Sequence, residues 1–307
     1  MKNTINFYYN IFLDELIKKD NCYYFYYGGD EYYFVPLNRP YDDVQSIYKL
    51  NLEMKKRRCL VHELVLNKDK SIITVVNGIS YVLIKLCKYK NDKVFLNDIN
   101  YIQNMTVNIE CDKSLIRNDW IKLWSEKIDY YEYQISQVGK KYPLLCDSLS
   151  YFIGMGENAI SYLVNNLDSK TNVNLVVSHK RIYQERGSLN FYDPLNFVVD
   201  NRVRDVAEFI KETFYNKTLN LYDLKSYFNM ANLNKNEYIL LLGRLLFPTY
   251  YFDIYDDIIN NGKSEELVIN IIDRTDEYES LLNTIYKFIL YEKKVRLEPI
   301  EWLQDKN

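Results

Sequence analysis

Leu175-Val176-Val177-Ser178-His179-Lys180-Arg181-Ile182 opens the stretch that decides the fold, and Arg204-Asp205-Val206-Ala207-Glu208-Phe209-Ile210 closes it. Between them lie a polar loop and a second short apolar run ending at Asp193-Pro194. Apolar residues at 173–177 and 189–192 predict two strands on either side of the His179 loop. Val206, Phe209 and Ile210 recur at helical spacing behind Asp205, predicting a helix with a carboxylate at the positive end of its dipole.

Toward the N-terminus, residues 22–27 and 31–37 are aromatic and β-branched runs joined by Gly28-Gly29-Asp30, a hairpin signal. Residues 43–57 place Val44, Ile47, Leu50 and Met54 on one helical face. The run Lys55-Lys56-Arg57-Arg58 follows at the negative end of that dipole, which suits a solvated helix end better than nucleic-acid contact. Strands are expected near 60–66, 71–76 and 79–87, the last two joined by Asn77-Gly78. From about 89 onward the pattern is mainly helical, with segments near 114–138, 143–166, 204–216, 221–229, 234–247, 249–260, 264–273 and 276–292.

The 307 residues are 48% hydrophobic and 26% charged, with 9 Gly and 6 Pro, a composition that folds compactly. A formal net charge of -3 argues against a generally basic nucleic-acid binder. Five cysteines without a Cys-x-x-Cys, and two histidines, make a zinc cluster or disulfide framework improbable and suit a reducing cytosol. Residues 1–19 read as an amphipathic first helix, not a signal peptide, since Ile5, Tyr8, Tyr9, Phe12 and Leu16 recur at helical spacing. No apolar run approaches the roughly 20 residues of a membrane span. Tyrosine is the outlier at 31 copies, through AT-rich codon usage or through aromatic surface for assembly; composition does not separate the two.

With strand, His179 loop, strand, Asp193 and Asp205-Val206-Ala207 in that order, the chain resembles the aminoglycoside phosphotransferase and choline kinase families. That resemblance implies an α+β, protein-kinase-like two-lobed fold. Residues 1–88 would form a β-rich N-lobe of N-terminal helix and antiparallel sheet, and 89–307 a mainly helical C-lobe with a degenerate catalytic loop. It also implies where Mg-ATP would be held, if the cleft is functional, and the side chains fit that only in part. The position of the phosphate-gripping Lys falls at Pro36 or Leu37, neither of which carries charge; Glu53 would stand for its acidic partner or be an exposed helix residue. His179 matches the loop-bracing His. Arg181 stands where the family has its catalytic Asp, and a guanidinium has no acceptor with which to take a proton. Arg186 stands where the family has a metal-binding Asn, and a cation cannot ligate a cation. Asp193 matches the metal-binding Asp in type, or is the turn residue before Pro194. Asp205 either caps the helix dipole or ties the helix to the His179 loop.

Ser178-His179-Lys180-Arg181, the run from Val199 to Ile210, and the run from Gly243 to Asp253 resemble the spore-coat branch of this superfamily, YutH-like and related to CotS. That resemblance implies an association with endospore formation or the coat and unproven kinase activity. The joint absence of Lys, Asp and Asn at Pro36, Arg181 and Arg186 leads to the expectation of a pseudokinase acting as a binding or assembly module, with protein partners among spore-coat components, cytoplasmic and deposited on the forming spore. The competing expectation is an active ATP-dependent phosphotransferase on a small hydroxylated substrate, using Glu185 or Asp193 in relocated roles. Lys180, Arg181 and Arg186 would present a basic patch to a phosphate or acidic peptide, or pair internally with Asp193, Asp200 or Glu185.

Overall fold

In the computed structural model, which describes residues 1–89, 91–168 and 173–304, the chain starts with α1 (Lys2–Tyr9), ended by Asn10 at φ 59°. The expected first helix is therefore shorter than residues 1–19. Ile17–Lys19 is instead β1, an edge strand paired with β2 (Cys22–Tyr27). Gly28 and Gly29, at φ 60° and 81°, form the turn into β3 (Asp30–Pro36), a left-handed pair that residues with a Cβ adopt only at a cost. Next come α2 (Tyr41–Lys56), β4 (Glu63–Val65), β5 (Ile73–Val76) and β6 (Ile79–Lys85), with Asn77 and Gly78 left-handed in the last hairpin. The strands run antiparallel in the order β1-β2-β3-β6-β4, and β5 also pairs with β6. Phe25 stacks on Tyr32 and Phe34 on Tyr81, over a core that includes Ile5, Leu13 and Leu83. Part of the tyrosine excess is thus interior packing.

The chain continues through α3 (Leu96–Met105), α4 (Trp120–Val138), α5 (Pro143–Asn166), β7 (Leu175–His179), α6 (Gly187–Phe191) and β8 (Phe197–Asn201). It closes with α7 (Val203–Tyr215), α8 (Leu221–Ala231), α9 (Lys235–Leu246), α10 (Thr249–Asn261), α11 (Ile269–Ile272), α12 (Thr275–Lys287) and α13 (Glu301–Gln304). Two sequence expectations are corrected. Residues 189–192 are not a strand: Gly187–Phe191 is helical, and the strand paired with β7 is Phe197–Asn201. A short apolar run does not distinguish a strand from one helical turn. Helix α3 was not among the expected segments, although Asp98 accepts a hydrogen bond from Phe95 N–H at its start.

Two compact units emerge, Met1–Ile116 with Leu175–Asp200, and Arg117–Asn174 with Asn201–Asn307. This partition differs from 1–88 and 89–307, because α3, β7, α6 and β8 group with the N-terminal sheet. In the second unit, Gly243 of α9 faces Leu163 of α5 so closely that a Cβ would stand 2.4 Å from a leucine methyl. One residue on, Arg244 Nε donates to Glu208 Oε1 at 2.7 Å, and Lys211 Nζ donates to the same oxygen at 3.0 Å. Lys211 Nζ also donates to Phe247 O and Thr249 Oγ1, and the Arg244 guanidinium lies over Trp120. Burial works against the Glu208 charge, but Lys211, Arg244 and Arg204 together outweigh it and hold the carboxyl well below the usual range. Lys211 is pushed down to about 8, chiefly by burial, although Glu208 pulls the other way.

Glu208→Gln leaves two buried cations without their counter-charge and should cost about 3–5 kcal/mol, read as a lower urea midpoint at neutral pH. The depressed carboxyl makes this contribution full above the unfolded glutamate pKa of 4.5, and it fades as pH falls toward the lower folded value. The gap between variant and parent should therefore narrow in acid; a gap unchanged down to about pH 3 would contradict the assignment.

Candidate functional site

Residues 184–193, which include α6, form the floor of a cleft within the first unit, and both histidines of the chain hold that floor in place. His62 Nε2 lies 3.1 Å from Leu189 O, and His179 Nε2 lies 2.7 Å from Phe191 O. Each ring nitrogen donates there, because a carbonyl can only accept. His62 Nδ1 in turn accepts from Cys87 N–H at 3.1 Å, fixing a neutral imidazole between the floor and the connector that follows β6. His179 also stacks on Phe191, with ring centroids 4.5 Å apart. The connector binds the floor directly: Ser188 N–H donates to Asn91 O, Asn91 N–H to Ser188 Oγ, and Val94 N–H to Gln184 O. Gly187 permits this approach, with φ 56° and ψ -162° and a hypothetical Cβ only 2.3 Å from Asn91 O.

The cleft above this floor consists of two adjoining cavities of about 460 and 470 Å³, which share Tyr33, His62, Leu86, Arg186 and Leu189. Tyr24, Glu31 and Tyr89 line one cavity; Lys19, Cys22 and Asp193 line the other. Tyr24 OH donates to Glu31 at 2.8 Å, so this carboxylate is already engaged. Asp193 Oδ1 accepts from Leu195 N–H at 2.9 Å. Burial pushes its carboxyl up to about 6, against that hydrogen bond and the charges of Arg39 and His179.

The residues singled out in the sequence are dispersed. Pro36 ends β3 opposite Tyr81, and Leu37 N–H donates to Ser80 O. Glu53 is paired on its own helix with Lys56 at 2.9 Å and lies 3.9 Å from Arg57. Arg181 is half-buried and donates from Nη1 to Lys180 O at 2.8 Å, while its carbonyl accepts from Asn196 Nδ2. Arg186 is exposed, its guanidinium 3.9 Å from the centre of the Tyr183 ring, and Glu185 pairs with Lys93 instead of an arginine. Asp205 is buried in the first turn of α7, in the second unit. In the order strand, loop, strand, acid, the acid on the second strand is the fully buried Asp200; Asp193 precedes that strand.

Three residues that shape the site escaped sequence reasoning, Arg39, His62 and Gly187, and Asp200 entered it only as a possible partner of the loop cations. Arg39 is buried in the β3–α2 connection, donates to Phe197 O at 2.7 Å and lies 3.6 Å from Asp43. It is the one cation between the end of β3 and α2, a signal that the sequence does carry. His62, one of only two histidines, was equally visible.

Mg-ATP does not fit these residues. A nucleotide cleft uses a glycine-rich turn whose backbone covers the phosphates and a lysine to grip them. The β1–β2 turn is the two-residue Asp20-Asn21, without glycine and with a carboxylate of the phosphate's own sign. The end of β3 offers Pro36. The connector N–H groups of Leu86 and Cys87 are committed to Glu31 O and His62 Nδ1. Among the described residues, no group of three or more His, Cys, Asp or Glu side chains could hold a metal ion.

The antiparallel sheet followed by a mostly helical remainder is the fold of the aminoglycoside phosphotransferases. An aminoglycoside phosphotransferase from Alicyclobacillus acidocaldarius subsp. acidocaldarius DSM 446 matches with a TM-score of 0.67 at 9% identity, covering 94% of this chain and 96% of that one. Spectinomycin phosphotransferase APH(9)-Ia in its AMP-bound complex matches at 0.60 with 10% identity, covering 90% and 92%. At these identities the likeness is one of fold. The model of the family described as "Spore coat putative kinase YutH" matches residues 2–285, and the chain belongs to that family. Endospore coat-associated protein YutH of Bacillus subtilis (strain 168) is 30% identical over 207 residues, spanning 60% of this chain and 61% of that relative's length.

Gly187→Ala forces a Cβ into a backbone region almost reserved for glycine and should cost at least about 1–3 kcal/mol, read as a lower melting temperature. Unchanged stability would mean that the floor is not pinned there. The cleft's titrations oppose each other. Burial pushes His62 down to about 4 from 6.5, so the unfolded chain takes the proton first and stability falls as pH drops through that window. Full loss of this contribution amounts to about 3 kcal/mol. Asp193, raised from 3.8 to about 6, does the reverse: the folded state takes its proton first, and stability rises as pH falls. Between pH of about 7 and 4.5, His62→Gln should gain stability relative to the parent and Asp193→Asn should lose it. Parallel pH profiles for all three proteins would refute both assignments.

Proposed function

We propose that this chain is a catalytically impaired kinase-like protein that serves as a binding or assembly module in association with the spore or its coat. The observation carrying this reading is Arg181 at the position of the catalytic base. Its guanidinium donates to Lys180 O and has no acceptor for a substrate proton. Losing a general base costs about 10²–10⁴ in rate. Pro36 at the lysine position and Arg186 at the metal-binding Asn position point the same way. The family, and the coat association named for the Bacillus subtilis relative, support coat proteins as partners and the forming spore as the place of action. No helix among the described residues is long and apolar enough to cross a membrane.

A second reading, phosphotransfer with relocated groups to a small hydroxylated substrate, is favoured by one observation. Asp193 lines the cleft with a carboxyl near 6, closer to a working general base than an ordinary aspartate. Asp193→Asn separates the two readings. Under the assembly reading, millimolar Mg-ATP leaves the unfolding temperature of the parent unchanged, and no phosphate is transferred to sugar, choline or protein substrates. A nucleotide at about 100 times its dissociation constant would instead stabilise the fold by about 2.7 kcal/mol. A magnesium-dependent shift with turnover, both lost in Asp193→Asn, would establish the second reading and overturn the first.

A further inference from the structure

Antiparallel helices commonly close the groove between them, but α4 and α5 leave theirs open. Two cavities of about 300 and 460 Å³ lie along it, with Glu157 common to both. Their floor is apolar, formed by Ile128 and Ile135 of α4 and Ile153, Ile160 and Val164 of α5. Val164 is 59% exposed, an apolar side chain that water covers and a partner would cover more favourably. From Cys146 to Asn165 the lining spans about 28 Å of helix, the length of a partner helix of about 18 residues.

Charge identifies the partner's chemistry. Asp129, Glu132 and Glu157 line the groove, all exposed, and none forms an ion pair among the described residues. No lysine or arginine among the described residues lines either cavity. Lys127 of the same helix turns toward Asp256, 3.7 Å away.

Gly154 supplies an independent observation. It sits mid-way in the 24-residue α5, where glycine costs about 0.5–1 kcal/mol relative to alanine. Gly156, two residues on, has a reason within the chain, since its Cβ would meet Ile128 at 2.9 Å. Gly154 has none: nothing lies within 4 Å of where its Cβ would be, and it lines the groove. A missing side chain beside open space allows another backbone to approach closely.

We propose that the α4–α5 groove docks an amphipathic helix of a partner protein, its apolar face on the isoleucine floor and its lysines or arginines against Asp129, Glu132 and Glu157. This deepens the assembly reading and rests on it, naming the surface and the class of partner.

The test titrates the full chain into a labelled synthetic helix of about 18 residues, leucines on one face and lysines on its flanks, followed by fluorescence anisotropy. A second peptide carries glutamate in place of every lysine. Binding of the basic peptide is expected to weaken at least about tenfold in the triple variant Asp129→Lys, Glu132→Lys, Glu157→Lys, and for the acidic peptide with the parent. Gly154→Trp, which fills the groove from an open position, should weaken it similarly with the thermal transition retained. Equal affinity for the variants or for the acidic peptide overturns the proposal, as does no binding to the parent. So does a dimer in sedimentation that Gly154→Trp dissolves, since the groove would then be occupied by a second copy. No step of the titration involves nucleotide, so its failure removes this surface and leaves the impaired-kinase reading to the Mg-ATP test, and the converse holds.

Discussion

Asn91 O packs against Gly187 where any side chain would have to stand, and this backbone contact determines what the cleft can be. Because the connector lies on the floor there, Ser188 and Gln184 complete hydrogen bonds with Asn91 and Val94. The two histidines then secure the far side of the same segment through Leu189 O and Phe191 O. A donor already bonded within the fold gains little by exchanging partners, since a net hydrogen bond is worth only about 0.5–1.5 kcal/mol. The connector donors at Leu86 and Cys87 therefore serve the fold.

The second unit obeys the same logic with charges. Two separate sequence runs, 199–210 and 243–253, meet at one buried carboxylate. Glu208 comes from the first run; Gly243 and Arg244 come from the second. Gly243 lets α9 press on Leu163, and Arg244 then reaches Glu208 beneath Trp120. Such a cluster makes little net contribution compared with apolar packing, yet losing one member strands the others. These residues hold the second unit together and say little about chemistry.

This explains which parts of the molecule were legible in the sequence. Gly28-Gly29 and Asn77-Gly78 mark their turns because left-handed backbone selects glycine and asparagine locally, and both hairpins form where expected. Helices α5 and α7 are long enough for periodicity to locate them. By contrast, α6 is a single turn whose helical state depends on Gly187 and on bonds to residues about a hundred positions earlier. Arg39 and His62 act through Phe197, Leu189 and Cys87, none of them a sequence neighbour. Spacing reveals local geometry; it does not reveal which distant carbonyl a side chain will meet. Asp193 illustrates the limit, since it matched the metal-binding acid in type while the second strand begins only after it.

The distribution of satisfied charge bears on where a partner would gain most. In and around the cleft, polar groups are largely engaged within the chain: Arg186 on Tyr183, Glu185 with Lys93, Glu31 with Tyr24, Asp193 with Leu195 N–H. A ligand entering there must displace existing interactions before it makes its own. Asp129, Glu132 and Glu157 have no such pairing among the described residues, and they flank a groove whose Val164 is exposed to water. Binding free energy is a surplus over what solvent and the free protein already supply. On that criterion, a partner has more to gain at the surface of α4 and α5 than in the cleft.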